Sequence, residues 1–101
     1  MKKLIFIILI FFLKNNVTAD EKMNLGLEVY NNKAQCGACH TLNAAGSDGQ
    51  IGPNLDALKP LEATTINAVT NGIGVMPSWD NILTKDEIEA VAYYVFISTS
   101  K

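Results

Sequence analysis

The only histidine of the chain stands directly after the second of its only two cysteines, in the run Cys36-Gly37-Ala38-Cys39-His40. In this order the run is the attachment sequence for c-type haem. Each thiol adds across one vinyl group of the porphyrin, and the spacing of the cysteines matches the gap between the two vinyls. His40 then lies under the ring, where its Nε2 can bind the iron. The other chemistries of Cys-x-x-Cys need a context this chain does not offer. A thiol–disulfide redox pair wants a βαβ setting, and no strand pattern is present. Zinc wants further Cys or His ligands, and none remain. A disulfide across two intervening residues closes too small a loop to stabilise much.

Residues 1–19 read as an export signal that is cleaved. Lys2 and Lys3 form a charged start, Leu4 to Leu13 is an unbroken apolar run of 10 residues, and Val17-Thr18-Ala19 supplies small residues for cleavage before Asp20. Ten apolar residues are too few for a membrane span, which takes about 20 in a helix. The residue directly after the cleavage point is Asp20 and not a cysteine, so a lipid anchor is not indicated. Export agrees with the cysteine motif, because c-type haem is attached outside the bacterial cytoplasm; the expected location is periplasmic. Removing the signal takes Lys2, Lys3 and Lys14 from the 8 basic residues, leaving 5 against 10 acidic ones, a net charge of −5. That balance argues against a nucleic-acid or anionic-membrane partner. The remaining single domain, residues 20–101, is too small to build a large core alone, so folding and haem attachment are expected to be coupled.

Along this domain, Met23 to about Lys33 reads as a helix. Leu25, Val29 and Tyr30 sit at helical spacing, and Asn31-Asn32 marks its end. Gly26 inside it costs about 1 kcal/mol relative to Ala and needs a packing reason. Residues 41–59 read as loop. Glu62 to Asn71 reads as a helix with Ile66 and Val69 inward and Gly72 as its stop. A loop from Ile73 to Leu83 carries Met76, Pro77 and Trp79. The last helix is the clearest: Thr84 and Glu87 form a capping-box pattern, Asp86 adds charge to the first turn, and Ile88, Val91, Ala92 and Val95 make one face, widened by Tyr94 and Phe96, to about Ser98. Lys59 and Lys85 read as solvated charges.

Together these motifs make residues 23–98 similar to the class I cytochromes c. The resemblance rests on Cys36-Gly37-Ala38-Cys39-His40, Gly52-Pro53-Asn54-Leu55, Val75-Met76-Pro77, and the helix-crossing positions Gly26, Tyr30 and Tyr94. It implies an all-α fold of three to four short helices wrapped around one covalently attached haem, with the terminal helices crossing. It also implies that the Pro53 carbonyl accepts a hydrogen bond from His40, that Leu55 packs on the haem, and that Met76 is the sixth iron ligand. A methionine is more often a core residue. Here it sits in a Gly/Pro-bounded loop 36 residues after His40, long enough to reach the other side of the ring, and a His/Met pair is the cytochrome c arrangement.

The resemblance implies a one-electron carrier between periplasmic redox partners, a dehydrogenase on one side and a terminal oxidase or reductase on the other. The exposed haem edge would be rimmed by Ala38, Gly72, Ile73, Gly74 and Val75. A second reading makes the chain the dedicated cytochrome subunit of a periplasmic dehydrogenase; residues 52–56 and 71–77 resemble cytochromes that serve sulfite dehydrogenases. A third, from another class, is a gas-binding or peroxidatic haem protein with an open sixth site. It lacks a distal acid–base group, because the one histidine is already used.

Overall fold

The computed structural model describes residues 17–101. Among the described residues, four α-helices carry the fold: α1 (Ala19–Glu28), α2 (Leu55–Leu58), α3 (Glu62–Asn71) and α4 (Lys85–Thr99). A π-helical turn, Val29–Lys33, prolongs α1. A tighter 3-10 turn, Cys36–Ala38, follows, and then a minimal hairpin in which β1 (Thr41–Leu42) pairs antiparallel with β2 (Ser47–Asp48). The architecture is all-α in its load of structure, with α1 and α4 crossing.

Helix α1 starts at Ala19, four residues before the expected Met23. The reason is a cap: the Thr18 hydroxyl accepts from the Glu21 amide at 3.1 Å, and Asp20 and Glu21 add negative charge to the first turn. Thr18 and Ala19 belong to the expected export signal; its residues 1–16 lie outside the described residues.

The crossing is made by an absent side chain. A Cβ on Gly26 would run into the Ala90 carbonyl oxygen and come within 2.5 Å of Tyr94 Cβ, so only glycine lets the two backbones meet there. One turn further on, Tyr30 and Tyr94 pack as a tilted pair, ring centroids 6.0 Å apart at 54°. Around them lie Val29, Leu42, Val69, Leu83, Ile88, Val91 and Val95, all buried. Each contributes about 1.5–3 kcal/mol through removal of apolar surface from water.

Both halves of the predicted capping box are present. The Glu87 amide donates to Thr84 Oγ1 at 3.1 Å, and the Thr84 amide donates to Glu87 Oε1 at 2.9 Å. The other Glu87 oxygen meets Lys33 Nζ at 2.6 Å, tying the end of the π-helical turn to the start of α4. This pairing lowers the carboxyl's pKa and raises that of the lysine. The Ile88, Val91, Ala92, Val95 face is buried as its spacing predicts, and α4 runs to Thr99. Helix α3 has the predicted bounds, ended by Gly72 at φ +74°.

Two expectations need correcting. Residues 41–59 are not continuous loop: they hold the hairpin and the single-turn α2, elements too short to leave a periodic pattern. Asn54 starts α2 by accepting from the Ala57 amide at 3.2 Å. Lys59 is not simply solvated. Its backbone is left-handed at φ +49°, and its ammonium donates to the carbonyls of Thr99 (3.2 Å) and Lys101 (3.3 Å) at the end of α4.

Candidate functional site

The turn at the cysteines is set by backbone geometry. Gln35 takes a left-handed conformation, φ +50°, which swings the chain out of the preceding helix. Successive amides then close back: Ala38 to the Gln35 carbonyl (3.1 Å), Cys39 to Cys36 (3.1 Å) and His40 to Cys36 (3.0 Å). Cys36 and Cys39 are therefore presented from one turn, both as free, partly buried thiols. Burial pushes the Cys36 thiol up to about 11.

His40 is held from two sides. Its Nδ1 lies 2.7 Å from the Pro53 carbonyl. A carbonyl only accepts, so Nδ1 carries the proton and Nε2 keeps its lone pair for a ligand. Gly52, anchored by its amide to the Cys39 carbonyl at 2.7 Å, lies against the imidazole; a Cβ there would come within 2.5 Å of Cε1. Gly49 makes a similar approach, with Cys39 C, Gly37 O and His40 N each 2.7 Å from its would-be Cβ. The following Leu55 opens α2 and is half-buried against the core, and Asp56 accepts from the Asn43 amide at 2.8 Å, fastening α2 to the hairpin.

Met76 comes from the segment after α3. Ile73 and Met76 exchange backbone hydrogen bonds (3.1 and 2.9 Å) around Gly74, at φ +56°. The loop is fastened to α3 by the Trp79 amide on the Val69 carbonyl (2.9 Å) and the Ser78 hydroxyl on the Thr70 carbonyl (2.6 Å). Trp79 itself is half-buried on the core and lines the cleft.

Between these segments lies a cleft made of two cavities of about 210 and about 400 Å³. Cys36, His40, Pro53, Ile73 and Met76 line both; Leu55 lines the smaller and Cys39 the larger. All six residues singled out from the sequence, Cys36, Cys39, His40, Pro53, Leu55 and Met76, thus meet at one apolar cleft. Val69, Val91 and Val95 form its floor from α3 and α4. Among the described residues, no three His, Cys, Asp or Glu side chains come together as a metal cluster.

Three participants were not legible in the sequence. Gly52 stands in the motif Gly52-Pro53-Asn54-Leu55, which gives roles to Pro53 and Leu55 and none to the glycine. Ser47 carried no signal, yet its hydroxyl donates to the His40 carbonyl at 3.0 Å. Tyr30 read as a packing residue, yet its hydroxyl lies 2.9 Å from Ser47 Oγ, and burial pushes the phenol up to about 12.

Residues 21–95 match the family model described as cytochrome c oxidase, cbb3-type, subunit III. The chain is similar to cytochrome c6 of Tetradesmus obliquus, 38% identical over 79 residues, covering 67% of this chain and 83% of that protein. It is 45% identical over 65 residues to the cbb3-type cytochrome c oxidase subunit FixP of Bradyrhizobium sp. (strain ORS 278); that match covers 59% of this chain and only 22% of FixP. Among solved structures, the c-type cytochrome SorU from Sinorhizobium meliloti superposes with a TM-score of 0.76 at 48% identity, covering 81% of this chain and 95% of that one.

Proposed function

This chain belongs to the family described as cytochrome c oxidase, cbb3-type, subunit III, as a small class I c-type cytochrome that carries electrons on haem c, and from that premise we propose that it holds one haem, linked through Cys36 and Cys39, with His40 and Met76 as axial ligands, and works in the periplasm after removal of residues 1–19. The observation that carries this reading is the convergence of both thiols, the Pro53-oriented imidazole and the Met76 side chain on one apolar cleft. The fit is chemical as well as spatial. The cleft is walled by hydrocarbon, as a porphyrin face requires, and its nitrogen donor has the tautomer that leaves Nε2 bare.

When bound, haem supplies a one-electron ferric/ferrous couple. The residues of this chain do the rest. Cys36 and Cys39 would hold the ring's edge through thioether bonds, each thiol supplying its hydrogen and sulfur to one vinyl. The Pro53 carbonyl holds the His40 imidazole in orientation and raises its basicity. A thioether ligand from Met76 favours the reduced state. Val69, Val91 and Val95 keep water from the floor of the cleft, which limits reorganisation when charge changes.

The chain works with redox partners and is an electron-transfer protein rather than an enzyme. The proposed contact is the apolar rim at the cleft mouth, where Ile51, Ile73 and Val75 are 72%, 69% and 87% exposed beside Ala38 and Gly74. Such a patch suits a small, transient interface, and the acidic remainder steers toward a basic surface. The partners proposed are a periplasmic dehydrogenase as donor, of which sulfite dehydrogenase is one, and a terminal oxidase or reductase as acceptor; the similarity to an oxidase subunit supports the acceptor side. No helix among the described residues is long and apolar enough to cross a membrane.

The test is the visible spectrum of the exported, reduced protein with and without carbon monoxide. A low-spin c-type spectrum unmoved by the gas is expected. A spectrum that shifts would show an open sixth position, sink the Met76 assignment and favour a gas-binding role.

A further inference from the structure

The packing of Tyr30 at the helix crossing asks only for an aromatic ring, yet this residue is fully buried and carries a hydroxyl. A buried hydroxyl without a partner is destabilising, so where this one is directed matters. Its partner is Ser47 Oγ at 2.9 Å, and Ser47 in turn donates to the His40 carbonyl at 3.0 Å. Serine has one hydroxyl proton, and a carbonyl can only accept. The direction of the chain is therefore fixed: Tyr30 donates to Ser47, and Ser47 donates to His40.

The surroundings are shaped to this chain of bonds. Ser47 stands at the start of β2, where the hairpin returns beside the cysteine turn. A Cβ on Gly37 would come within 2.7 Å of Ser47 Cβ, so the glycine between the cysteines is what admits the serine. The His40 carbonyl also accepts from the Gly49 amide at 3.2 Å, and the His40 ring is tied to Pro53 at 2.7 Å. His40 is thus fixed at its ring and at its backbone, and the backbone tie leads through Ser47 into the α1–α4 crossing.

We propose that Tyr30 and Ser47 are positioning residues for the redox centre: their hydroxyls form a directed relay that sets the backbone of His40, and so the reach and strength of its Nε2 bond to iron. Bonds in series polarise one another, and groups behind a ligand tune the metal it binds. The proposal rests on His40 being the axial ligand.

The experiment measures three things on haem-loaded Tyr30→Phe, Ser47→Ala, the double variant and Ser47→Thr: the reduction potential, the paramagnetically shifted NMR resonances of the His40 ring, and thermal stability. Tyr30→Phe keeps the ring and its packing, so it tests the hydroxyl in a protein that folds. The expected result is that Tyr30→Phe and Ser47→Ala move the potential and the His40 resonances in the same direction, that the double variant moves them no further than Ser47→Ala alone, and that Ser47→Thr returns both toward wild type. Ser47→Ala should also unfold at a lower temperature than the double variant, because it strands the Tyr30 hydroxyl. Variants with lowered stability but wild-type potential and His40 resonances would overturn the proposal and leave His40 ligation standing. A wild-type protein whose His40 resonances show no contact with iron would overturn both.

Discussion

The crossing of α1 on α4 and the cleft beside it are built in opposite ways. At the crossing, order comes from side chains: Val29 and Tyr30, in the π-helical turn that prolongs α1, and Ile88, Val91, Tyr94 and Val95 of α4 are all buried. In the cleft walls, order comes from the main chain. The Gln35 turn, the Cys39–Gly52 and His40–Gly49 bonds and the Ile73–Met76 pair place the functional groups with little regular structure around them. One region excludes water and the other presents chemistry. Both use glycine for close approach, Gly26 to a neighbouring helix and Gly52 to an imidazole. The difference predicts that the same kind of insult has different consequences in the two places.

The largest effect is expected at the crossing. In Gly26→Leu the new side chain meets the backbone of Ala90, which cannot rotate aside. Overpacking of this kind destabilises by about 3 kcal/mol or more, read as a lower denaturation midpoint of the haem-loaded protein, with the potential of the surviving folded fraction unchanged. A shifted potential at unchanged stability would break the division between the two regions.

Gly52→Ala is the matching insult in the cleft. Its Cβ presses on a ring pinned by Pro53, at an expected loss of about 1–2 kcal/mol. The sharper readout is the potential. Tilting the ring lengthens the Nδ1–Pro53 bond, makes imidazole a weaker donor and moves the potential upward. An unchanged or lowered potential would refute that account.

The smallest effect belongs to the ion pair that joins the end of the π-helical turn to α4. Lys33 holds the Glu87 carboxyl below its ordinary value, together with the Thr84 amide. A depressed carboxyl stabilises above its unfolded value of about 4.3 and loses that contribution as pH falls through the lower folded value. The raised Lys33 stabilises below about 10.4 and loses its share as pH rises through the higher folded value. Lys33→Ala should therefore flatten the stability profile at both ends and lower it slightly between them; a profile parallel to wild type would show that the pair contributes nothing.

The same contrast explains what could be read from the residues alone. Helix α4 announced itself through Thr84, Glu87 and a repeating apolar face, and α3 through Ile66, Val69 and Gly72, because side-chain burial leaves a period. The cleft announced itself through the chemistry of Cys36, Cys39, His40 and Met76 rather than through any period. What escaped was whatever rests on the main chain or on a single distant bond. The hairpin at Thr41–Asp48 is two residues per strand, α2 is one turn, and Lys59 acts forty residues away on Thr99. The Ser47 hydroxyl is conspicuous only once the hairpin has folded back beside His40. The start of α1 is hidden in the sequence for a different reason: its cap, Thr18, lies within the stretch that reads as an export signal.

The rim of the cleft carries one last consequence. Ile51, Ile73 and Val75, its most exposed members, are all β-branched. Such side chains have little χ1 freedom even in water, so a partner landing on them freezes almost no motion. Arrival then needs no induced rearrangement, and departure has no web of interlocked long side chains to undo. For the carrier proposed above, which would meet a donor and an acceptor in turn, a stiff and slippery landing site would keep the exchange fast in both directions.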